Sequence, residues 1–293
     1  MMTGEYLVLC GAKALALPLR YGQELVAKRN NSDSIQWKSL DRDGNTWFEG
    51  IYHPVEQQWE SASDLVAANI LRNMLEQCQE LNSKLQPEGW KMQTKLEFDR
   101  RWGWGSSSTL INNLAQWAHV DAFQLSERTL GGSGYDIACA QSSKPIVYQI
   151  IGEKPAFEEI SWRPLFRDSI FFVFSGKKRD SRKATAQFNR EKKYTEEIKE
   201  LNELTAAILK AVDVTEFERL VSEHEAIIGK VLGQLPVQQD QFDDFPGVIK
   251  SLGAWGGDFV MAVSREDEQT TRHYFKSRNL NPVFRFDEIV SCF

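Results

Sequence analysis

The sequence predicts an α+β chain of two lobes, and three observations carry that expectation. Its 293 residues exceed one small domain and fall short of three. Period-2 and period-3.6 apolar patterns are mixed in both halves, which speaks against a doubly wound parallel sheet. Three glycine clusters, at 103–108, 131–134 and 253–258, punctuate these patterns. The seam is expected near Gly152–Pro164, where two prolines bracket a polar stretch, giving lobes of residues 1–155 and 156–293.

Taken in order, Tyr6 to Cys10 is an apolar run bounded by glycines and reads as a strand. Further strands are expected at Gln23–Arg29 and Ile35–Leu40, with Asp41-Arg42-Asp43-Gly44 as a hairpin turn into Asn45–Tyr52. From Ala62 to Leu85, apolar residues recur at steps of three and four, giving an amphipathic helix closed by Pro87. Met92, Thr94, Leu96 and Phe98 alternate along a half-buried strand. Helical periodicity resumes through Leu110, Leu114 and Trp117. The second half reads as strands at Ile146–Ile151 and Ser169–Phe174, then helices near Thr195–Lys210 and Thr215–Leu232. Strands near Gly247–Leu252 and Asp258–Val263, a helix near Glu266–Arg278 and a strand at Val283–Phe286 complete it.

A hydrophobic fraction of 42% and a charged fraction of 26% exclude wholesale disorder. A net charge of −6 argues against nucleic acid as the partner. No apolar run reaches the roughly 18 residues of a membrane span, and Met1-Met2-Thr3-Gly4-Glu5 does not look like a signal peptide. The four cysteines show no paired spacing, as expected of a reducing compartment. A soluble cytoplasmic protein is the resulting expectation, and a homodimer is left open.

The glycine clusters are the places where chemistry is expected. Gly103-Trp104-Gly105-Ser106-Ser107-Ser108 leads from a strand into a helix, where backbone N–H groups and the helix dipole receive an anion such as phosphate. The three serines add hydroxyls that suit phosphate or magnesium, and a plain glycine turn with a serine cap fits equally. Asp136, just past Gly134, is placed to take a proton from a substrate hydroxyl, or is a first-turn aspartate without chemical work. Gly253-Ala254-Trp255-Gly256-Gly257-Asp258 suits close approach of backbone to a phosphate, or a turn between strands. A basic run from Lys177 to Lys183 suits an anionic substrate or a solvated loop. The four histidines lie far apart in sequence, and each is expected at the surface or half-buried rather than on a metal.

In that order the clusters resemble the motifs of the GHMP kinases (galactokinase, homoserine kinase, mevalonate kinase, phosphomevalonate kinase). Gly4-Glu5-Tyr6-Leu7-Val8-Leu9-Cys10-Gly11-Ala12 is similar to the first motif. Gly103 to Ser108 resembles the Gly-Leu-Gly-Ser-Ser loop, and Gly253 to Asp258 the Gly-Ala-Gly-Gly-Gly loop. Gly132-Ser133-Gly134-Tyr135-Asp136-Ile137-Ala138 resembles the segment carrying the catalytic aspartate, in the Gly-Tyr-Asp-Ile-Ala form of kinases similar to those of the mevalonate pathway.

The resemblance implies a two-lobed kinase with ATP and magnesium in the cleft between lobes. It implies that Ser107 and Glu127 hold magnesium and that Asp136 orients or deprotonates an acceptor such as mevalonate or phosphomevalonate. Two departures stand out. A strand with Pro-Gly-Lys normally precedes Gly-Glu, and Lys13 lies after the motif. Trp255 stands where the family has a glycine. The first departure keeps a second expectation open, that of a non-catalytic nucleotide- or metabolite-binding protein on the same fold.

Overall fold

The computed structural model describes residues 1–177, 184, 187–255 and 257–291, so Lys178 to Lys183 of the basic run and Gly256 lie outside the described residues. The class is α+β. The chain forms two compact units that interleave in sequence. Unit 1 comprises Met1–Arg20, Arg101–Gly103 and Ser142–Phe293, and unit 2 comprises Tyr21–Arg100 and Trp104–Gln141.

Unit 2 is a five-stranded sheet covered by helices. Its strands are β2 (Gln23–Arg29), β3 (Ile35–Leu40), β4 (Thr46–His53), β5 (Gln58–Ala62) and β6 (Trp90–Leu96), in the order β2-β6-β3-β4-β5. All pairs are antiparallel except β3 with β6. The alternation read from the sequence on β6 is the alternation of burial, with Met92, Thr94 and Leu96 facing the core, and on β3 Ile35, Trp37 and Ser39 face it too. The polar members of that face are satisfied, since Ser39 Oγ lies 2.8 Å from Trp37 Nε1 and 3.0 Å from Thr94 Oγ1. Against this face pack the helices α1 (Leu65–Leu81), α2 (Ser106–Ala118), α3 (Ala122–Thr129) and α4 (Tyr135–Gln141). Helix α1 begins where Asp64 Oδ1 accepts from the N–H groups of Val66 and Ala67. It stops at Leu81, earlier than expected, because Asn82 turns extended and donates its Nδ2 to the Ala118 carbonyl at 2.8 Å.

Unit 1 holds two antiparallel sheets. One is β1 (Ala14–Ala16), β7 (Ile146–Ile151) and β8 (Lys154–Glu159), and the expected boundary between residues 155 and 156 falls within β8. The other has the order β10-β11-β9-β12, from β9 (Ile170–Phe174), β10 (Gly247–Ser251), β11 (Phe259–Ser264) and β12 (Val283–Arg285). Strands β9 and β11 are buried along their whole length, which is why they read as continuous apolar runs. Helices α5 (Thr195–Ile208) and α6 (Val214–Leu232) pair with each other, and α6 lies on β10. Shorter helices α7 (Val237–Gln241), α8 (Glu268–Ser277) and α9 (Phe286–Ile289) complete the described part of the unit.

One expected strand is absent. Leu7–Cys10 is a 3-10 turn, framed by Tyr6 at φ 60° and Gly11 at φ 90°, and Gly11 N–H returns to the carbonyls of Leu7 and Val8. A short apolar run marks burial without fixing backbone conformation, and the glycine at its end closes a turn.

Helix α6 carries a glycine, Gly229, that its packing requires. A Cβ there would lie 2.8 Å from the Gln234 carbonyl oxygen and 3.3 Å from the Trp255 ring. Gly229→Ala is therefore expected to destabilise the fold by about 1–3 kcal/mol, reversing the gain of up to ~1 kcal/mol that alanine brings to an unobstructed helix. Urea titration of the two proteins checks the sign.

Candidate functional site

In unit 2 the segment after β6 turns into α2 through Trp104 and Gly105. The Trp104 ring is stacked on Tyr21 at 5.9 Å between centroids and tilted against Phe98 at 5.8 Å. Its side chain is thus spent on packing. Gly105 follows at φ 76° as the residue before the helix, with no side-chain cap and no acidic residue in the first turn. The first-turn N–H groups of a helix have no partner within it, and the dipole makes this end favourable for an anion. Ser107 is exposed there, with Ser106 and Ser108 half-buried.

Asp136 belongs to the same unit. Gly131, Gly132 and Gly134 all take positive φ, so the chain turns sharply into α4 and Asp136 falls in its first turn. The side chain is half-buried, and burial pushes its carboxyl above the usual carboxylate range, while a hydrogen bond from Tyr135 pulls the other way. Asn112 joins the two helix starts. Only 4% exposed, it donates Nδ2 toward the carbonyls of Ser108 (3.2 Å) and Ile137 (3.4 Å), and its Oδ1 accepts from Gln141 Nε2 at 3.0 Å. Ser108, in the first turn of α2, and Ile137, the residue after Asp136, are thereby tied to one amide. Sequence reasoning missed Asn112; its signal is a polar residue on the apolar face of an amphipathic helix.

Glu127 lies exposed on α3. Among the described residues no group of three or more His, Cys, Asp or Glu side chains is placed to hold a metal. The hydroxyl of Ser107 and the carboxylate of Glu127 are nonetheless hard oxygen donors. Such donors fit magnesium, which takes one or two protein ligands beside phosphate and water. A hollow of about 380 Å³ along α2, bounded by Asn112, His119, Asp121 and Gln141 among others, contains none of the glycine-cluster residues, nor Asp136 or Glu127.

The third glycine loop lies in unit 1, between β10 and β11. Gly253 takes φ 63° and Asp258 φ 47°. Asp258 is pinned by its backbone, its N–H donating to the Lys177 carbonyl at 2.7 Å and its carbonyl accepting from Ser175 N–H at 2.8 Å. Its carboxylate sits over Gly103: a Cβ on Gly103 would lie 2.4 Å from Asp258 Oδ2. Trp255 turns inward. It is 2% exposed, within an apolar cluster with Tyr6, Leu7, Tyr194, Leu201 and Ile228. The bulky ring that replaces a glycine therefore occupies the core and does not fill the outer side of the loop.

Beneath this loop lies a buried array that the sequence did not announce. Glu5, His224, Glu225 and Lys250 are all buried. The Lys250 ammonium donates to Glu5 Oε1 and to the Ser251 carbonyl, and lies 3.8 Å from Glu225 Oε2. His224 Nε2 accepts from Gly4 N–H at 2.9 Å, so the neutral ring carries its proton on Nδ1 and its 3.4 Å approach to Glu5 is not an ion pair. Burial, with the Lys250 charge, holds the His224 pKa well below its ordinary value. His224 is thus fully buried, beyond the surface or half-buried place expected of it. A lysine inside the apolar run Gly247–Ser251 was the available signal.

No helix among the described residues is long and apolar enough to cross a membrane. No protein-family model matches the sequence, and no curated protein does. Solved structures match its fold. The phosphomevalonate kinase of Streptococcus pneumoniae in complex with phosphomevalonate and AMPPNP aligns over 97% of this chain and 96% of its own, with TM-score 0.70 and 15% identity. Methanococcus jannaschii mevalonate kinase aligns over 97% and 93%, with TM-score 0.67 and 14% identity. Lactococcus lactis galactokinase complexed with galactose aligns over 99% and 90%, with TM-score 0.64 and 13% identity.

The contact between Gly103 and Asp258 is open to a direct test. Gly103→Ala is expected to destabilise unit 1 through both its positive φ and the carboxylate above it. Adding Asp258→Gly should recover part of that loss. A double-mutant cycle from urea titrations should then show about 1–3 kcal/mol of coupling, and strict additivity would refute the contact.

Proposed function

We propose, from the premise that this chain has the fold of the GHMP kinases, that it transfers the terminal phosphoryl group of ATP to a small anionic metabolite, with mevalonate or phosphomevalonate as acceptor. The observation that carries the proposal is the joining of two helix starts in unit 2: the glycine-led, uncapped start of α2 and, tied to it through Asn112, the start of α4 with Asp136. The first suits a phosphate and the second suits the hydroxyl that attacks it. Mevalonate-pathway acceptors are favoured by the Gly-Tyr-Asp-Ile-Ala segment at 134–138.

In this reading the α2 N–H groups and the hydroxyls of Ser106, Ser107 and Ser108 bind phosphate oxygens. Ser107 and Glu127 would hold magnesium, which neutralises charge on the polyphosphate. Gly253, Ala254, Gly256, Gly257 and Asp258 form the loop that receives substrate or phosphate. Asp136 holds the acceptor hydroxyl in line and takes its proton. A carboxylate whose pKa is raised by burial is a better base than a solvated one.

Asp136→Asn is expected to lower kcat by about 10²–10⁴ while leaving the Kd for magnesium-ATP nearly unchanged, and Ser107→Ala to weaken nucleotide binding. Calorimetry and ADP release with mevalonate and phosphomevalonate, offered separately, decide both. ATP binding without turnover on either would favour the non-catalytic reading.

The raised pKa also sets the direction of two pH effects. The folded chain holds the Asp136 proton more tightly than the unfolded chain does. Stability from this group therefore grows as pH falls through the raised pKa and is lost above it. Asp136→Asn should accordingly be more stable than the parent at neutral pH although less active. The acid limb of kcat/KM should lie above the ordinary carboxylate range, and a limb at the ordinary aspartate value would refute Asp136 as the base.

A further inference from the structure

The buried array in unit 1 is built around one residue, Ser251, where β10 ends and the third glycine loop begins. Strand β10 is the edge strand of its sheet. Ser251 is paired with Val260, and the neighbouring ladder bond runs from Leu252 N–H to the Phe259 carbonyl. In an antiparallel ladder the N–H and C=O of the residue before such a bond point away from the partner strand. Here that is the open side of the sheet, buried under α6. A buried backbone group without a partner is costly, and two side chains supply both partners. Glu225 Oε1 accepts from Ser251 N–H at 3.0 Å, and Lys250 Nζ donates to the Ser251 carbonyl at 2.8 Å.

Neither side chain stands alone. Glu225 also accepts from Val237 N–H at 3.4 Å, at the start of α7. Lys250, 0% exposed, is held by Glu5, and the segment carrying Glu5 is fixed because His224 accepts from Gly4 N–H. Gly4 itself is at φ 83°, and a Cβ there would lie 2.7 Å from the Lys13 carbonyl oxygen. The far end of the loop is held independently, through Asp258 to Lys177 and Ser175.

We propose that Lys250 and Glu225 are positioning residues for the third glycine loop. Through the carbonyl and N–H of Ser251 they set the direction in which the chain leaves β10, with Glu5 holding Lys250 in place. Burying these charges brings little stability compared with well-packed apolar residues. The array secures a fixed orientation of the two peptide groups that flank Ser251, and a loop whose backbone must meet a phosphate depends on that orientation.

The test uses the full chain and reads the loop itself. Lys250→Met removes the donor to Ser251 but leaves Glu5 buried without its partner. The double variant Lys250→Met/Glu5→Gln removes that stranded charge as well, and should recover melting temperature relative to the single variant. Hydrogen exchange followed by mass spectrometry needs no assumption about activity. In the double variant the segment 251–255 should exchange about tenfold faster than in the parent, as loss of one hydrogen bond to a charged group implies. Peptides from α5 and β9 should be unchanged. Parent-like exchange at 251–255, or acceleration spread evenly over unit 1, would overturn the proposal.

Should neither lysine variant fold, Glu225→Gln and Glu225→Leu read the same loop. Glutamine keeps an acceptor for Ser251 N–H and leucine does not, so only leucine should accelerate exchange; equal exchange would overturn the proposal. A kinetic arm rests on the kinase reading. There the double variant should lose about 10–100-fold in kcat with the Kd for magnesium-ATP unchanged. A parent protein without turnover would end the kinase reading, while the exchange result would still judge the role of Lys250.

Discussion

The hydrogen-bonded pair of Glu5 and Lys250 is the constraint around which unit 1 is arranged. Each charge loses several kcal/mol of hydration on burial, roughly recovered only if the partner is in place with good geometry. An arrangement of this unit that buries the two apart forfeits that recovery. The requirement propagates outward. Gly4 must adopt a conformation open to glycine so that Glu5 points inward. His224 must stay neutral to receive Gly4 N–H. Helix α6 must lie on β10, because it supplies both His224 and Glu225. The charged residues specify how the elements meet, and the apolar clusters supply the stabilisation.

The two glycine-led loops share a division of labour between backbone and side chain. Each contains a tryptophan, and in each the ring is used for packing: Trp104 against Tyr21 and Phe98 in unit 2, Trp255 inside an apolar cluster in unit 1. Anchoring a loop by a large ring reduces the conformations its backbone can take, while the flanking glycines permit the positive φ values the turns need. The departure at Trp255 from a plain glycine loop is thus a change in how the loop is anchored.

Strands with one buried face, such as β3 and β6, were legible because alternation of residue type is alternation of environment. Strands β5 and β8 were not. Their residues are exposed or half-buried along both faces, so neither carries an apolar rhythm to read. Leu7–Cys10 announced burial correctly and conformation wrongly. Gly105, the serines and Asp136 were placed at helix starts because glycine and serine there leave a local signature. Asn112 and the array around Lys250 are defined by partners up to 245 residues away. A single polar residue in an apolar stretch says that a partner exists without saying which. The interleaving of the two units is invisible for the same reason, since it is a property of pairings across the chain.

That interleaving has a consequence for how the chain comes to be folded on the ribosome. All of unit 2 has been synthesised once Gln141 is added, and the five strands of its sheet pair among themselves. The first twenty residues are in the opposite position. Strand β1 has its pairing partner in β7, and Glu5 has its counter-charge only at Lys250. At about 5–20 residues per second, the opening segment waits some seconds after unit 2 is complete. Through that interval it carries an unpaired acidic side chain and the apolar stretch Leu7–Leu9 in water. The segment Met1–Arg20 is thus separated from its partners by the whole of unit 2, and its pairing waits on residues made after Gln141.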